Sequence, residues 1–228
     1  MILQIIVIFS TLDAKIDFNF PNLQGQSYRN KYLNLPHNTD KEIILRECYR
    51  IFKVLRNAAV HSMNSITVSN EKVVAQYNFN RTNYHLDISN EGVSYLFTYI
   101  LESFNSNSQY TLNHDKALTR DLYDLIRQGI NSFEDEFGID LEPISNRLKI
   151  RSGIRNYIVN ASFEINEKKN TLKIITPYIK SEIYEKEYGV DYLIQLPNTT
   201  LYLIPDAVLN GHFEIELTKI DDWRLNHD

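Results

Sequence analysis

Apolar residues fill most of positions 2–9, ILQIIVIF, and return at Leu12 and Ile16. The run predicts a helix over 2–16 that is apolar nearly all round and therefore deeply packed. It is too short for a membrane span, which needs about 20 apolar residues. It carries no basic leader and no small-residue cleavage site, and Asp13, Lys15 and Asp17 follow at once. A cytoplasmic chain without a signal peptide or membrane segment is the expectation. Pro21, Gly25 and Pro36 break the next stretch, with a short helix near Ser27–Leu33 between them.

Thr39-Asp40-Lys41-Glu42 sets a cap residue three positions before a Glu, a capping box. The helix it opens runs to about Arg56–His61. Ile44, Cys48, Ile51 and Leu55, spaced 4, 3 and 4 apart, form its buried stripe. Arg46, Arg50, Lys53, Asn57 and His61, spaced 4, 3, 4 and 4, form a polar and mostly basic stripe. Two β-rich runs, 72–77 and 82–88, flank a turn at 78–81 and read as a hairpin. Ser89 caps a helix to about Phe104, and a Ser/Asn-rich loop follows. Leu112, Leu118, Leu122, Leu125, Ile126, Ile130 and Phe133 then predict one long helix over 111–137, ended by Gly138.

After about residue 141 the texture changes. Pro143, Pro177, Pro197 and Pro205 punctuate short apolar runs. Phe213, Ile215 and Leu217 alternate with polar residues as in a half-buried strand, and Asn166–Asn170 and Asn210-Gly211 are turn signals. The expected fold class is α+β. Residues 1–141 form a helical domain with a β-hairpin insertion, and 142–228 a β-rich module whose role the sequence does not reveal.

Composition narrows the function. The chain has 228 residues and a formal net charge of −5, so any nucleic-acid contact must come from a local patch. Cys48 is the only cysteine, which excludes an internal disulfide or a cysteine-based zinc site. No phosphate-binding glycine loop, dinucleotide fingerprint or nucleophile elbow is present. No cofactor or metal is expected.

The chemistry concentrates in residues 54–61, VLRNAAVH. A guanidinium binds phosphate and keeps its charge, and an imidazole exchanges protons near neutrality. Asn57 and His61, four apart, share a helix face. Arg56 lies five before His61, about 140° away on an ideal helix. The two meet only if the helix ends or bends, or if a second chain completes the site. Together they suit RNA cleavage by its own 2′-hydroxyl, which DNA lacks. The spacing by itself has little specificity, since this composition gives roughly 0.3 such Arg–His pairs by chance. The plainer reading is a His that caps or packs at a helix end.

The run Arg56-Asn57-Ala58-Ala59-Val60-His61 resembles the HEPN superfamily signature: an Arg, a polar residue, and a His after a short gap. An apolar first helix, a capped helix ending in the motif and further helices resemble the HEPN bundle over about residues 1–140. The resemblance implies a helical bundle that dimerises with two motif helices facing each other. It implies a metal-independent endoribonuclease of toxin or abortive-infection type, leaving a cyclic phosphate. Other members of the superfamily keep the fold and only bind, whether RNA, a nucleotide or a protein. Carried onto this chain, Arg56 and His61 take the catalytic roles and Asn57 supports them. Asp13, with Asp17 as alternate, takes the place of an acidic residue near the site. RNA is the implied partner, with a second copy of the chain and an antitoxin or regulator protein.

Arg46, Arg50 and Lys53 are candidates to guide an RNA backbone toward His61, against the alternative of a solvated face. Arg147, Lys149, Arg151 and Arg155, beside Tyr157, form a second basic cluster suited to single-stranded RNA, against a basic surface linker. Glu134, Asp135 and Glu136, with Asp140 and Glu142, read as a solvated acidic face. His85, His114, His212 and His227 have no metal-site spacing.

Overall fold

The computed structural model describes the chain except residues 62, 105–110, 146, 154, 178–188 and 226–228. It is a mixed α and β protein. The chain forms two compact units, one of residues 1–105 and 122–146, the other of residues 106–121 and 147–228. The expected boundary at 141/142 did not anticipate that residues 106–121 would belong with the C-terminal unit.

In the first unit, helix α1 (Ile2–Asn19) buries Ile5, Phe9, Leu12 and Ile16 on one side. Its other side is open: Leu3 is 73% exposed and Phe18 84%. The expectation of a helix packed all round is corrected. A short helix α2 (Tyr28–Asn34) starts where Ser27 Oγ accepts the Asn30 N–H. Helix α3 (Asp40–His61) opens with the expected capping box: Thr39 Oγ1 accepts the Glu42 N–H and Glu42 accepts the Thr39 N–H. Ile44, Cys48, Ile51 and Leu55 are fully buried along it.

Strands β1 (Ile66–Val68), β2 (Lys72–Phe79) and β3 (Thr82–Ser89) follow. Asn80 and Arg81, both at positive φ, close the β2–β3 hairpin as the tight turn that the strand twist favours. Ser89 Oγ then accepts the Gly92 N–H and caps helix α4 (Asn90–Phe104). Helix α5 (Leu112–Gln128) ends at Gly129, and strand β4 (Ile130–Glu134) pairs with β3. These strands form one antiparallel sheet in the order β1-β2-β3-β4. The hairpin is thus the centre of a four-stranded sheet.

The expected single helix over 111–137 is overturned, and the reason is local. A Cβ on Gly129 would stand 2.7 Å from Gly92 Cα and 2.9 Å from Ser89 Oγ, so a glycine is needed where the chain turns against α4. Beyond it, Leu86 opposes Phe133 and Ile88 opposes Ile130, leaving Asn131 as a bulge. The bulge puts Ile130 and Phe133 on one face of a strand although they are three apart. That spacing imitates a helix.

The second unit holds β5 (Arg155–Val159), β6 (Phe163–Asn166), β7 (Thr171–Ile174), β8 (Gly189–Gln195), β9 (Leu201–Pro205), β10 (Glu214–Glu216) and the one-turn helix α6 (Leu217–Ile220). One sheet runs β5-β8-β9, with β5 and β8 parallel. The other runs β10-β7-β6 and is antiparallel. The Asn166–Asn170 turn joins β6 to β7 as expected. The alternation of 213–217 holds only at Ile215, since Phe213 has positive φ and Leu217 begins α6.

Candidate functional site

The polar stripe of α3 divides into a spent part and an available part. Arg46 is half-buried. Its Nε donates to the Tyr32 carbonyl and its guanidinium lies 4.3 Å over the Tyr32 ring, with Glu142 3.5 Å away. Arg50 is 1% exposed. It grips Asp135 with two bonds of 2.6 and 2.7 Å, and also reaches Glu47 and the carbonyls of Ile139 and Asp140. Burial works against its charge, but the Asp135 bonds outweigh that and hold its pKa above the ordinary value. Lys53 is buried against Glu136 through a salt bridge, and desolvation lowers its pKa despite that partner.

The expected RNA-guiding role of Arg46, Arg50 and Lys53 is therefore corrected. Each is committed to a carboxylate inside the unit. The same contacts overturn the solvated reading at Asp135, which is 4% exposed, and at Glu136, which holds Lys53; Glu134 is exposed as expected and accepts from Asn83. Glu47, fully buried, accepts from the Tyr32 hydroxyl at 2.9 Å. Burial raises its pKa, opposed by Tyr32 and Arg50, and burial beside Glu47 pushes Tyr32 up to about 12.

Asp13 is also a structural residue. It accepts from Lys31 and from the Tyr49 hydroxyl, both at 2.8 Å, and Asp17 takes the same Lys31 at 2.6 Å. Lys31 is only 2% exposed. The two carboxylates pin α1 to α2 and α3, and among the described residues no hydrogen bond or ion pair joins Asp13 to the motif.

Asn57 and His61 are what remains of the stripe, and Arg56 lies beside it, next to Asn57 in the chain. The Arg56 guanidinium lies 5.3 Å over the Tyr28 ring, and its Nη1 donates to Asn57 Oδ1 at 3.0 Å. His61 is exposed and is the last residue of α3. Among the described residues no carboxylate lies within salt-bridge distance of either. Because α3 runs unbroken through His61, the two project about 140° apart within one chain. A bend that would bring them together in one chain does not occur. Asn57 and His61 do share a face, as their spacing requires.

The aromatic floor of this region had no signal in the sequence. Tyr77 and Tyr84 stack at 4.7 Å with planes 7° apart. The Tyr77 hydroxyl is buried and lies beside the Asn57 amide without reaching hydrogen-bond geometry. Burial raises its pKa, and burial with the charges of Glu136 and Asp135 pushes Tyr84 up to about 12. Only the pairing register of β2 with β3, which sets Tyr77 opposite Tyr84, reveals the stack.

The second basic cluster is also divided. Arg155 is buried, with two bonds of 2.5 and 2.8 Å to Asp191 and a third to the Arg151 carbonyl. A Cβ on Gly189 would collide with its guanidinium. Arg147 and Arg151 are exposed, Lys149 is half-buried and Tyr157 is 47% exposed. Buried His114 approaches Asp191 at 3.0 Å, and its ring meets Trp223 edge-on. His85 meets Ser132, and His227 lies outside the described residues. Among the described residues no group of His, Cys, Asp and Glu is arranged to hold a metal, and no helix is long and apolar enough to cross a membrane.

No protein family, curated protein or solved structure matches this chain.

Proposed function

We propose that the chain is a HEPN-like, metal-independent endoribonuclease whose site is completed by a second copy. One observation carries the reading. Of the basic residues along α3 from Arg46 onward, Arg56 and His61 are the two without a carboxylate among the described residues, and they are the pair the chemistry requires. Partly buried stacking on Tyr28 and the bond to Asn57 hold the guanidinium in place. Exposure leaves the imidazole free to reach a ligand.

In one chain the two groups diverge, so the site joins Arg56 of one copy to His61 of the other. His61 takes the proton of a ribose 2′-hydroxyl. The oxygen attacks the adjacent phosphorus, the bond to the 5′-oxygen breaks, and that oxygen leaves with a proton drawn from solvent, to which His61 returns the one it took. Arg56 neutralises charge on the non-bridging oxygens. The products are a 2′,3′-cyclic phosphate and a 5′-hydroxyl. Asn57 positions Arg56 through its carbonyl oxygen. A toxin or phage-defence role fits such an activity, with an antitoxin or regulator as a further partner.

The test is cleavage of a mixed-sequence RNA by the wild-type chain, His61→Ala and Arg56→Ala, beside a 2′-deoxy copy of the substrate. Loss of at least 100-fold in both variants, with the deoxy strand intact, is expected. Equal cleavage by His61→Ala and wild type refutes the mechanism. RNA binding without cleavage, weakening as salt rises, would instead assign a binding module.

A further inference from the structure

The outer side of α1 carries six residues within about 100° of arc: Leu3, Val7, Ser10, Thr11, Ala14 and Phe18. All are exposed, Val7 by 54%. The charged residues of this helix do not interrupt the stripe, because each is engaged within the unit. Asp13 and Asp17 hold Lys31, while Lys15 donates to Ser103 and lies 4.3 Å over the Phe104 ring. The two hydroxyls on the stripe are satisfied as well. Ser10 donates to the Ile6 carbonyl at 2.8 Å and Thr11 to the Val7 carbonyl at 2.9 Å. The face therefore presents apolar surface and no charge.

Its residue order identifies the occupant. Turned end for end about a point between Ser10 and Thr11, the stripe superposes on itself. Leu3 then meets Phe18, Val7 meets Ala14, and Ser10 meets Thr11. Large residues sit at the ends and small ones in the middle, where two helices approach most closely. Self-complementarity under a two-fold rotation is what an interface between identical chains requires. At the exposures observed, the stripe offers on the order of 500 Å² per copy, or about 1,000 Å² for a pair, which is where specific interfaces begin.

We infer that α1 is a two-fold interface between copies of this chain, with the two helices antiparallel and crossing between Ser10 and Thr11. This contact is separate from the ribonuclease site. Phe9, on the opposite side of α1, is the residue that stacks on Tyr49 and Phe52 of α3. The interface can stand if the nuclease reading falls, and the reverse.

Two measurements test it. Val7→Glu puts a charge against the partner's Ala14, so light scattering should show half the wild-type mass, with an unchanged circular dichroism spectrum and retained RNA cleavage. Ser10→Cys should form an inter-chain disulfide under mild oxidation, because the two sulfurs lie next to the axis. Leu3→Cys should not, since its copies stand about 22 Å apart along antiparallel helices. Cys48 is buried and adds no background. Equal mass for wild type and Val7→Glu overturns the inference. So does cross-linking through Leu3→Cys and not Ser10→Cys, which would indicate parallel helices. A Ser10→Cys chain that does not cross-link, with a wild-type chain that floats with phosphatidylcholine–phosphatidylglycerol vesicles, would assign the face to lipid and also overturn it. Should Val7→Glu fail to fold, the two cysteine variants decide.

Discussion

Replacing Asp135 with Ala tests whether Arg50 serves the fold or a ligand. Arg50 and Asp135 are 1% and 0% exposed at their side chains, so solvent screens their attraction little. Removing one partner of such a pair costs about 3–5 kcal/mol, because the other charge stays buried. Here Glu47 at 3.3 Å and the carbonyls of Ile139 and Asp140 continue to hold the guanidinium, which places the cost near the lower end. With about 3 kcal/mol lost and a urea slope of about 2 kcal/mol/M, the unfolding midpoint of the first unit should fall by about 1.5 M. Equilibrium urea unfolding followed by circular dichroism measures this. The paired change Arg50→Met with Asp135→Leu removes both charges and should recover only part of the loss, because buried Glu47 then loses Arg50, while leaving RNA cleavage intact. A midpoint shift below about 0.3 M for Asp135→Ala, or loss of RNA cleavage in the stable double variant, would refute the structural assignment.

Gly129→Ala should destabilise by about 1–3 kcal/mol through overpacking against Gly92 and the Ser89 cap, read as a lower melting temperature. The second unit should lose stability in acid. Burial pushes the Asp191 carboxyl up, but His114 and Arg155 outweigh burial and hold its pKa below 3.8. Its contribution is therefore complete above that unfolded value and disappears as pH falls through the lower folded one. Asp191→Asn should flatten the acid limb of a pH–stability curve, and an unchanged limb would contradict the assignment. His61→Ala should keep wild-type stability within about 0.5 kcal/mol, since the side chain is exposed and makes no hydrogen bond or ion pair among the described residues.

Local signals were readable in the sequence, and distant partnerships were not. The Thr39–Glu42 box, the Asn80-Arg81 hairpin and the Ser89 cap each depend on residues within a few positions of one another. The partners of the basic stripe are remote and leave no local signal: Arg50 and Asp135 are 85 residues apart. Strand β4 carries helical spacing because of the bulge at Asn131. The parallel pairing of β5 with β8 joins segments more than thirty residues apart and has no local signature. Helix α1 looked uniformly apolar, and only burial separates its inner face from the outer one. Within the candidate site, Arg56, Asn57 and His61 were legible as a motif, while Tyr28 and the Tyr77–Tyr84 stack come from other elements.

Whether Arg56 of one copy works with His61 of another is tested most directly by mixing inactive chains. Arg56→Ala and His61→Ala should each fail to cleave RNA. Unfolded together and refolded, they should regain about a quarter of wild-type activity, because half the pairs are mixed and each mixed pair rebuilds one of two sites. A mixture as inactive as its components would contradict a site shared between chains.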